Sequence, residues 1–92
     1  MTAIPVDGIL RLEEKGMFGI IVLIHDRRYC TITDFYKSIS RNPRLETKLE
    51  ILEDMGLVSS DMVHGRRMYT LTPKGETVAD IILEVDGMIR RG

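Results

Sequence analysis

The segment from Asn42 to Gly75 constrains the fold most, because signals that start and stop secondary structure follow one another closely in it. Asn42 followed by Pro43 predicts a helix start, since Asn is a favoured N-cap and Pro suits the first helical position. Gly56 predicts the helix end, because glycine readily adopts the left-handed conformation found there. The intervening leucines share the i, i+4, i+7 spacing of one buried face: Leu45, Leu49 and Leu52. We therefore predict an amphipathic helix over residues 43–55.

A hairpin and a second capped helix follow. One strand begins at Leu57, and residues 66–71 form its predicted partner. The dipeptide His64-Gly65 predicts a two-residue turn, because glycine accepts a positive φ and histidine tolerates it better than most residues. Thr72-Pro73 repeats the N-cap and proline signal and starts the last helix. The apolar residues of that helix form one stripe: Val78, Ile81, Ile82, Val85, Met88 and Ile89.

The N-terminal half carries weaker signals. Residues 6–15 allow a short amphipathic helix, which Gly16 would close in a C-terminal cap role. Met17–His25 is an apolar run. Its periodicity does not distinguish a buried helix from a buried strand, whereas its β-branched residues favour a strand. Tyr29–Ile32 predicts a short extended piece, and Thr33 is the predicted N-cap of the helix that follows.

The order of these elements resembles that of winged helix-turn-helix transcriptional regulators, particularly the MarR-like and HxlR-like groups and their small archaeal relatives. The resemblance covers Lys15 to Gly75, and its most specific parts are Met-Gly-Leu-Val at 55–58 and Tyr-x-Leu-Thr-x-x-Gly at 69–75. It implies an α+β winged-helix fold, mostly helical with a small antiparallel hairpin, and a central buried helix at Met17–His25. It also implies the following parts: a helix-turn-helix at 33–56, a wing at 57–71 and a C-terminal dimerisation helix at 73–90.

Size and composition fit one domain. A chain of 92 residues is long enough for a single small core, and packing against a partner subunit would add to its stability. The longest apolar run, Ile20–Ile24, is too short to span a membrane, and the start lacks a basic, cleavable signal segment. The single cysteine fits a reducing compartment, so we expect a cytoplasmic protein.

The charges are segregated along a nearly neutral chain. The net charge is −1, whereas many DNA-binding domains are clearly basic. Residues 27–48 nevertheless carry six basic side chains against two acidic ones, and residues 64–74 carry three Lys or Arg and no acid. The acids collect at the end of the helix over 43–55 and near the C-terminus. This distribution predicts a basic face able to bind phosphates.

The resemblance implies that the helix over 43–55 enters the major groove of duplex DNA and that residues 62–68 lie at the minor groove. Arg44 would pair with guanine, Thr47 with a thymine methyl or a phosphate, and Lys48 with a phosphate or guanine. Glu46 or Glu50 could accept a hydrogen bond from cytosine, although a carboxylate near a polyanion is usually repelled. The expected DNA contacts are Lys37, Arg41, Asn42, Arg44, Thr47, Lys48, His64, Arg66 and Arg67. One alternative is that these are ordinary solvated residues. The alternative function is a winged-helix module that binds protein and not DNA.

The stripe on the last helix predicts a homodimer, with packing on its own domain as the alternative. No catalytic motif is present, so we expect no enzyme activity, no cofactor and no metal site. Cys30 with His25 and Asp26 lacks the second Cys that a metal site would need. We expect Cys30 to be a small core residue, with a redox-sensing thiol as the alternative.

Overall fold

The structure is a computed structural model that describes residues 7–13, 15–38 and 44–91. Within these residues five helices and one two-stranded antiparallel sheet follow one another along the chain. They are α1 (Asp7–Leu10), α2 (Met17–Arg27), α3 (Ile32–Ser38), α4 (Leu45–Asp54), β1 (Val58–Val63), β2 (Arg66–Leu71) and α5 (Pro73–Arg91). This is the predicted α+β arrangement. None of the helices among the described residues combines the length and the apolar character needed to cross a membrane.

Helix α2 forms the centre of the core. Its buried side chains are spaced as on one helical face: Met17, Ile20, Ile21 and Ile24. They pack with Phe35 of α3 and with Leu49 and Leu52 of α4. The helical assignment of this run, taken from the resemblance, is therefore confirmed, and the strand favoured by its β-branched residues is wrong. Burial of these side chains in the core stabilises the helix by more than the small loss of helix propensity that β-branched residues cause.

The N-terminal helix is shorter than predicted. Helix α1 ends at Leu10, and the amides of Leu12 and Glu13 donate to carbonyls only three residues back, at 2.9 and 3.1 Å. Gly16, with φ of 91°, is the N-cap of α2 and does not close the preceding helix as predicted. Its carbonyl accepts the first helical hydrogen bond of α2, from the amide of Ile20 at 3.0 Å.

Helix α3 begins earlier than predicted. Its N-cap is Thr31, not Thr33, because the side chains of Thr31 and Asp34 each accept a hydrogen bond from the other residue's backbone amide. The Thr31 amide donates to Asp34 Oδ2 at 2.9 Å, and the Asp34 amide donates to Thr31 Oγ1 at 3.3 Å. This is a capping box with Asp in place of Glu. The predicted extended piece is reduced to Cys30, whose amide and carbonyl pair with those of Tyr69 in β2.

The capping box makes part of the stability depend on pH. Hydrogen bonds from the Thr31 amide and hydroxyl, with nearby Arg27 and Lys37, hold the pKa of Asp34 below its usual range. A lowered folded-state pKa stabilises the fold above the unfolded pKa of about 4, and this contribution is lost as the pH falls through the folded value. We expect Asp34→Asn to be less stable than wild type at neutral pH and to approach it in acid. Urea unfolding at several pH values checks this, and a constant difference would contradict it.

Helix α4 ends at the predicted glycine. Gly56 has φ of 76°, and its amide bonds to the carbonyl of Glu53 at 3.0 Å. The Leu57 amide bonds to the Leu52 carbonyl at 3.0 Å, and both leucines are buried. These two bonds and the apolar contact define a Schellman cap, in which the left-handed conformation favours glycine.

The hairpin has the predicted two-residue turn. His64 and Gly65 have φ of 51° and 76°, as a type I′ turn requires. The register pairs Val63 with Arg66 and Met62 with Arg67.

The start of α5 is tied to the end of α4. Thr72 is the predicted N-cap, and its Oγ1 accepts a hydrogen bond from the Gly75 amide at 3.0 Å. The same hydroxyl donates to the Gly56 carbonyl at 2.6 Å, and Lys74 Nζ donates to the Met55 carbonyl at 3.1 Å. Carbonyls that the end of α4 leaves without helical partners are thus taken up by α5. The Tyr-x-Leu-Thr-x-x-Gly pattern at 69–75 therefore includes residues through which the start of α5 contacts the end of α4.

Candidate nucleic-acid interface

Helix α4 presents one apolar and one polar face. Leu45, Leu49 and Leu52 are buried, as predicted, while Thr47 and Glu50 are exposed on the opposite side. A surface helix that follows α3 through a short connection is the second helix of a helix-turn-helix. The described part of this connection begins at Arg44. Asn42, Pro43 and Arg41 belong to residues 39–43, outside the described part, so the contacts predicted for Arg41 and Asn42 stay predictions.

Arg44 marks the N-terminus of α4. The helix begins at Leu45, two residues later than predicted, because Arg44 has φ of 60° and ψ of 33°, a left-handed conformation that cannot belong to the helix. Arg44 is thus the N-cap residue, and its side chain is exposed. Thr47 lies less than one turn further on and is also exposed. Arg44 and Thr47, two of the side chains predicted to contact bases, therefore share the N-terminal end of the helix, the part that reaches base edges in this motif.

The prediction that Lys48 contacts DNA is wrong. Only 2% of Lys48 is exposed, and its Nζ donates to the carbonyl of Lys15 at 2.6 Å. Lys48 follows Leu45 by three residues and therefore lies on the buried side of α4, where an ammonium must be hydrogen-bonded. It joins α4 to the segment before α2. The i+3 spacing from Leu45 was the signal that could have shown this.

The two arginines of the hairpin lie on opposite faces of the sheet. Side chains alternate along a strand, so Arg67 shares the face of the buried Tyr69, and Arg66 points to the other side. Both are exposed, as are His64 at the turn and Lys37 on α3. Arg67 Nη1 donates to Ser60 Oγ of the facing strand at 3.0 Å. The sequence pattern alone had treated the two arginines as equivalent.

An acidic cleft separates α4 from the hairpin. It has a volume of about 490 Å³ and is lined by Ile32, Glu46, Glu50, Glu53, Arg67 and Tyr69. The three glutamates recur at i, i+4 and i+7 along α4 and so face the hairpin together. Burial raises the pKa of Tyr69; Arg67 counteracts this, and the three carboxylates add to it. The negative charge expected only near the end of α4 therefore extends along the wing side of the helix.

The C-terminal half of α5 extends beyond the core. Val78 and Ile82, which the stripe assigned to the dimer interface, pack partly against the chain's own core. Beyond them, Val85, Met88 and Ile89 are 48%, 59% and 72% exposed. Together with the exposed Ile81 they form an apolar surface on one side of α5.

A link between α2 and α5 was missed by the sequence patterns. His25 Nδ1 lies 2.8 Å from Glu76 Oε2, and His25 Nε2 lies 3.6 Å from Asp80 Oδ1. Both acids are one turn apart on α5, so a single imidazole contacts two successive turns. His25 therefore holds α5 against the central helix.

Cys30 has the properties of a core residue. Its side chain is fully buried, and burial, with a contribution from Asp34, raises its pKa to about 11. A thiol with such a pKa is protonated near neutral pH, whereas the thiolate is the reactive form. These properties favour the predicted packing role over the redox alternative.

A helix-turn-helix followed by an antiparallel hairpin, with a long helix behind it, defines the winged-helix fold. Solved structures confirm this predicted winged-helix fold. A transcriptional regulator homologue from Pyrococcus horikoshii is 23% identical with a TM-score of 0.73, over 88% of this chain and 86% of that one. A putative MarR-family transcriptional regulator from Porphyromonas gingivalis is 22% identical with a TM-score of 0.75, over 95% and 92%.

A DNA-binding protein from Sulfolobus solfataricus is 19% identical with a TM-score of 0.66, over 86% of this chain and 84% of that one. No protein-family model matches the sequence, and no curated protein matches it significantly. At these identities the similarity establishes the fold of the chain. The hairpin β1–β2 accordingly corresponds to the wing of this fold, and α4 to the second helix of its helix-turn-helix.

Proposed function

We propose that this protein binds duplex DNA sequence-specifically, as a homodimeric transcriptional regulator of the cytoplasm and not as an enzyme. The N-terminal end of α4 enters the major groove, and the wing lies beside the minor groove. The observation that carries the proposal is the exposure of Arg44 and Thr47 together at the N-terminus of a recognition helix that a wing flanks. The solved structures of similar fold, described as transcriptional regulators or as DNA-binding, support the same role.

The contacts divide into two kinds. Arg44 and Thr47 are placed to reach base edges and so to specify sequence. Lys37, His64 and Arg66 lie on α3 and the wing, where they would contact phosphates or the minor groove and so fix position. We retain Arg41 and Asn42, at the predicted turn before α4, as further backbone contacts.

The dimer would be formed through α5. The apolar surface of Ile81, Val85, Met88 and Ile89 is available on the single chain, and a second copy would cover it. Two recognition helices about 34 Å apart would then enter successive major grooves of a pseudo-palindromic site.

Selection of bound sequences from a random duplex pool, followed by affinity measurements at several salt concentrations, tests the proposal. We expect an enriched pseudo-palindrome and a steep fall in affinity with salt, with log K changing by about 0.9 per log unit of salt for each neutralised phosphate. Absence of enrichment together with weak, salt-insensitive binding would favour the alternative, a winged-helix module that binds protein. The acidic cleft and the net charge of −1 are the observations that keep this alternative in view.

Substitution of Arg44 tests the base contact. We expect Arg44→Ala to weaken binding to the selected site by about 1–3 kcal/mol and to relax preference at one base pair. Arg44→Lys keeps the charge but loses the planar pair of donors, so it should retain non-specific binding while losing that preference. A uniform loss over all sequences, with preference intact, would instead identify Arg44 as a phosphate contact.

A further inference from the structure

The wing side of α4 poses an electrostatic problem for DNA binding. Glu46, Glu50 and Glu53 face the cleft beside the surface that the major groove would approach. Carboxylates repel phosphates, and exposed charges within about 10 Å of each other interact appreciably at moderate salt. A recognition helix with this face uncovered would lose affinity for every duplex.

Arg67 is the basic side chain among the residues that line this cleft. Its guanidinium donates to Ser60 Oγ at 3.0 Å, and Ser60 Oγ lies 3.4 Å from Glu53 Oε2, to which it donates. The chain of contacts therefore runs from β2 through β1 to α4. Arg66, next to it in sequence, lies on the opposite face of the wing, so the two differ in surroundings although they are identical in chemistry.

We propose that Arg67 is a positioning residue for DNA binding, which holds the wing to α4 through Ser60 and offsets the carboxylates of Glu46, Glu50 and Glu53. Resting on the proposed function, this assigns the direct wing contact to Arg66 and an indirect role to Arg67. If the nearby carboxylates of the cleft offset the charge of Arg67, this side chain displaces few counterions from DNA. The acidic face of α4 is thereby made compatible with a polyanion.

A double-mutant cycle on the full chain separates the two roles. The variants are Arg67→Ala, Glu50→Gln and the two combined, with affinity measured for the selected duplex. If Arg67 offsets the carboxylates, Glu50→Gln should raise affinity more in the Arg67→Ala background than in wild type, by at least about twofold. Glu50 is chosen because Glu53 also binds Ser60. Equal effects in both backgrounds would overturn the proposal.

Arg66→Ala is the matched control. It should reduce the slope of log K against log salt by about 0.9, whereas Arg67→Ala should lower affinity with a much smaller change in slope. Arg67→Lys, which keeps the charge and a donor for Ser60, should restore most of the affinity. Equal reductions in slope for Arg66→Ala and Arg67→Ala would show that both contact phosphates and would contradict the indirect role.

A measurement without DNA tests the placement of Arg67 by itself. Arg67 lowers the pKa of the Tyr69 phenol, and Glu50 raises it. NMR titration of labelled tyrosine should therefore show a higher Tyr69 pKa in Arg67→Ala and a lower one in Glu50→Gln. If these shifts appear but no duplex is bound, the proposed function fails while the geometry of the cleft stands. If they are absent, the proposed offset of charge is wrong whatever the protein binds.

Discussion

Gly75→Ala is expected to destabilise the protein by about 3 kcal/mol or more, beyond the usual cost of one added methyl group. A Cβ built on Gly75 would lie 2.0 Å from the carbonyl oxygen of Leu57 and 2.9 Å from its carbonyl carbon. These are backbone atoms between α4 and the wing, so no rotamer change relieves the overlap. The start of α5 would have to move away, with loss of the hydrogen bonds that Thr72 makes to the end of α4.

Gly87→Ala is the matched control, because Gly87 lies in the same helix. A Cβ there would meet only Arg91 Nη1, at 3.6 Å, an ordinary contact with the flexible end of a side chain. Helix propensity should then stabilise Gly87→Ala by about 0.5–1 kcal/mol. Urea unfolding of both variants at one protein concentration measures the difference. Similar stabilities for the two would show that α5 does not approach Leu57 as closely as described.

Val85→Asp is expected to convert the proposed dimer into a folded monomer. Val85 is 48% exposed on the single chain, so the monomer loses little when it becomes charged. In a dimer formed through α5 the carboxylate would be buried without a partner, and the dissociation constant should rise at least about 100-fold. Sedimentation over a range of concentrations, with circular dichroism to confirm folding, measures this.

Thr77→Asp introduces the same charge on α5 at an exposed position near its first turn, outside the apolar surface. It should leave the association unchanged, and DNA affinity should fall with Val85→Asp far more than with Thr77→Asp. A wild-type protein that sediments as a monomer at every concentration would refute the dimer. Equal association of all three proteins would place the interface elsewhere on the chain.

The ends of the elements were predictable where one residue type has a single local role. Gly56, Thr72 and the His64-Gly65 turn were located from sequence because positive φ and side-chain caps depend on nearby backbone. Thr31 was missed in favour of Thr33, since both threonines precede the same helix and only the partner Asp34 distinguishes them. Arg44 was placed inside the helix because Pro43, the residue directly before it, indicated a helix start.

The composition of the interface was less predictable, because charged residues were assumed to be exposed. Lys48 is buried through its spacing from Leu45, and Arg67 turns toward α4 through the alternation of β2. Both properties depend on which face of an element packs inward, and tertiary contacts decide this. His25 and Glu76 are 51 positions apart in the sequence, and no local pattern links residues at that distance.

Helix α4 is anchored near both of its ends. Lys48 joins its first half to the segment before α2, and Thr72 and Lys74 bind the two carbonyls that follow its last residue. Because of these hydrogen bonds, we expect a displacement of α5 to displace α4 with it. In the proposed dimer, a change in the angle at which the two copies of α5 cross would therefore change the distance between the two α4 helices. Affinity for an operator could then be regulated without altering a single residue that contacts it.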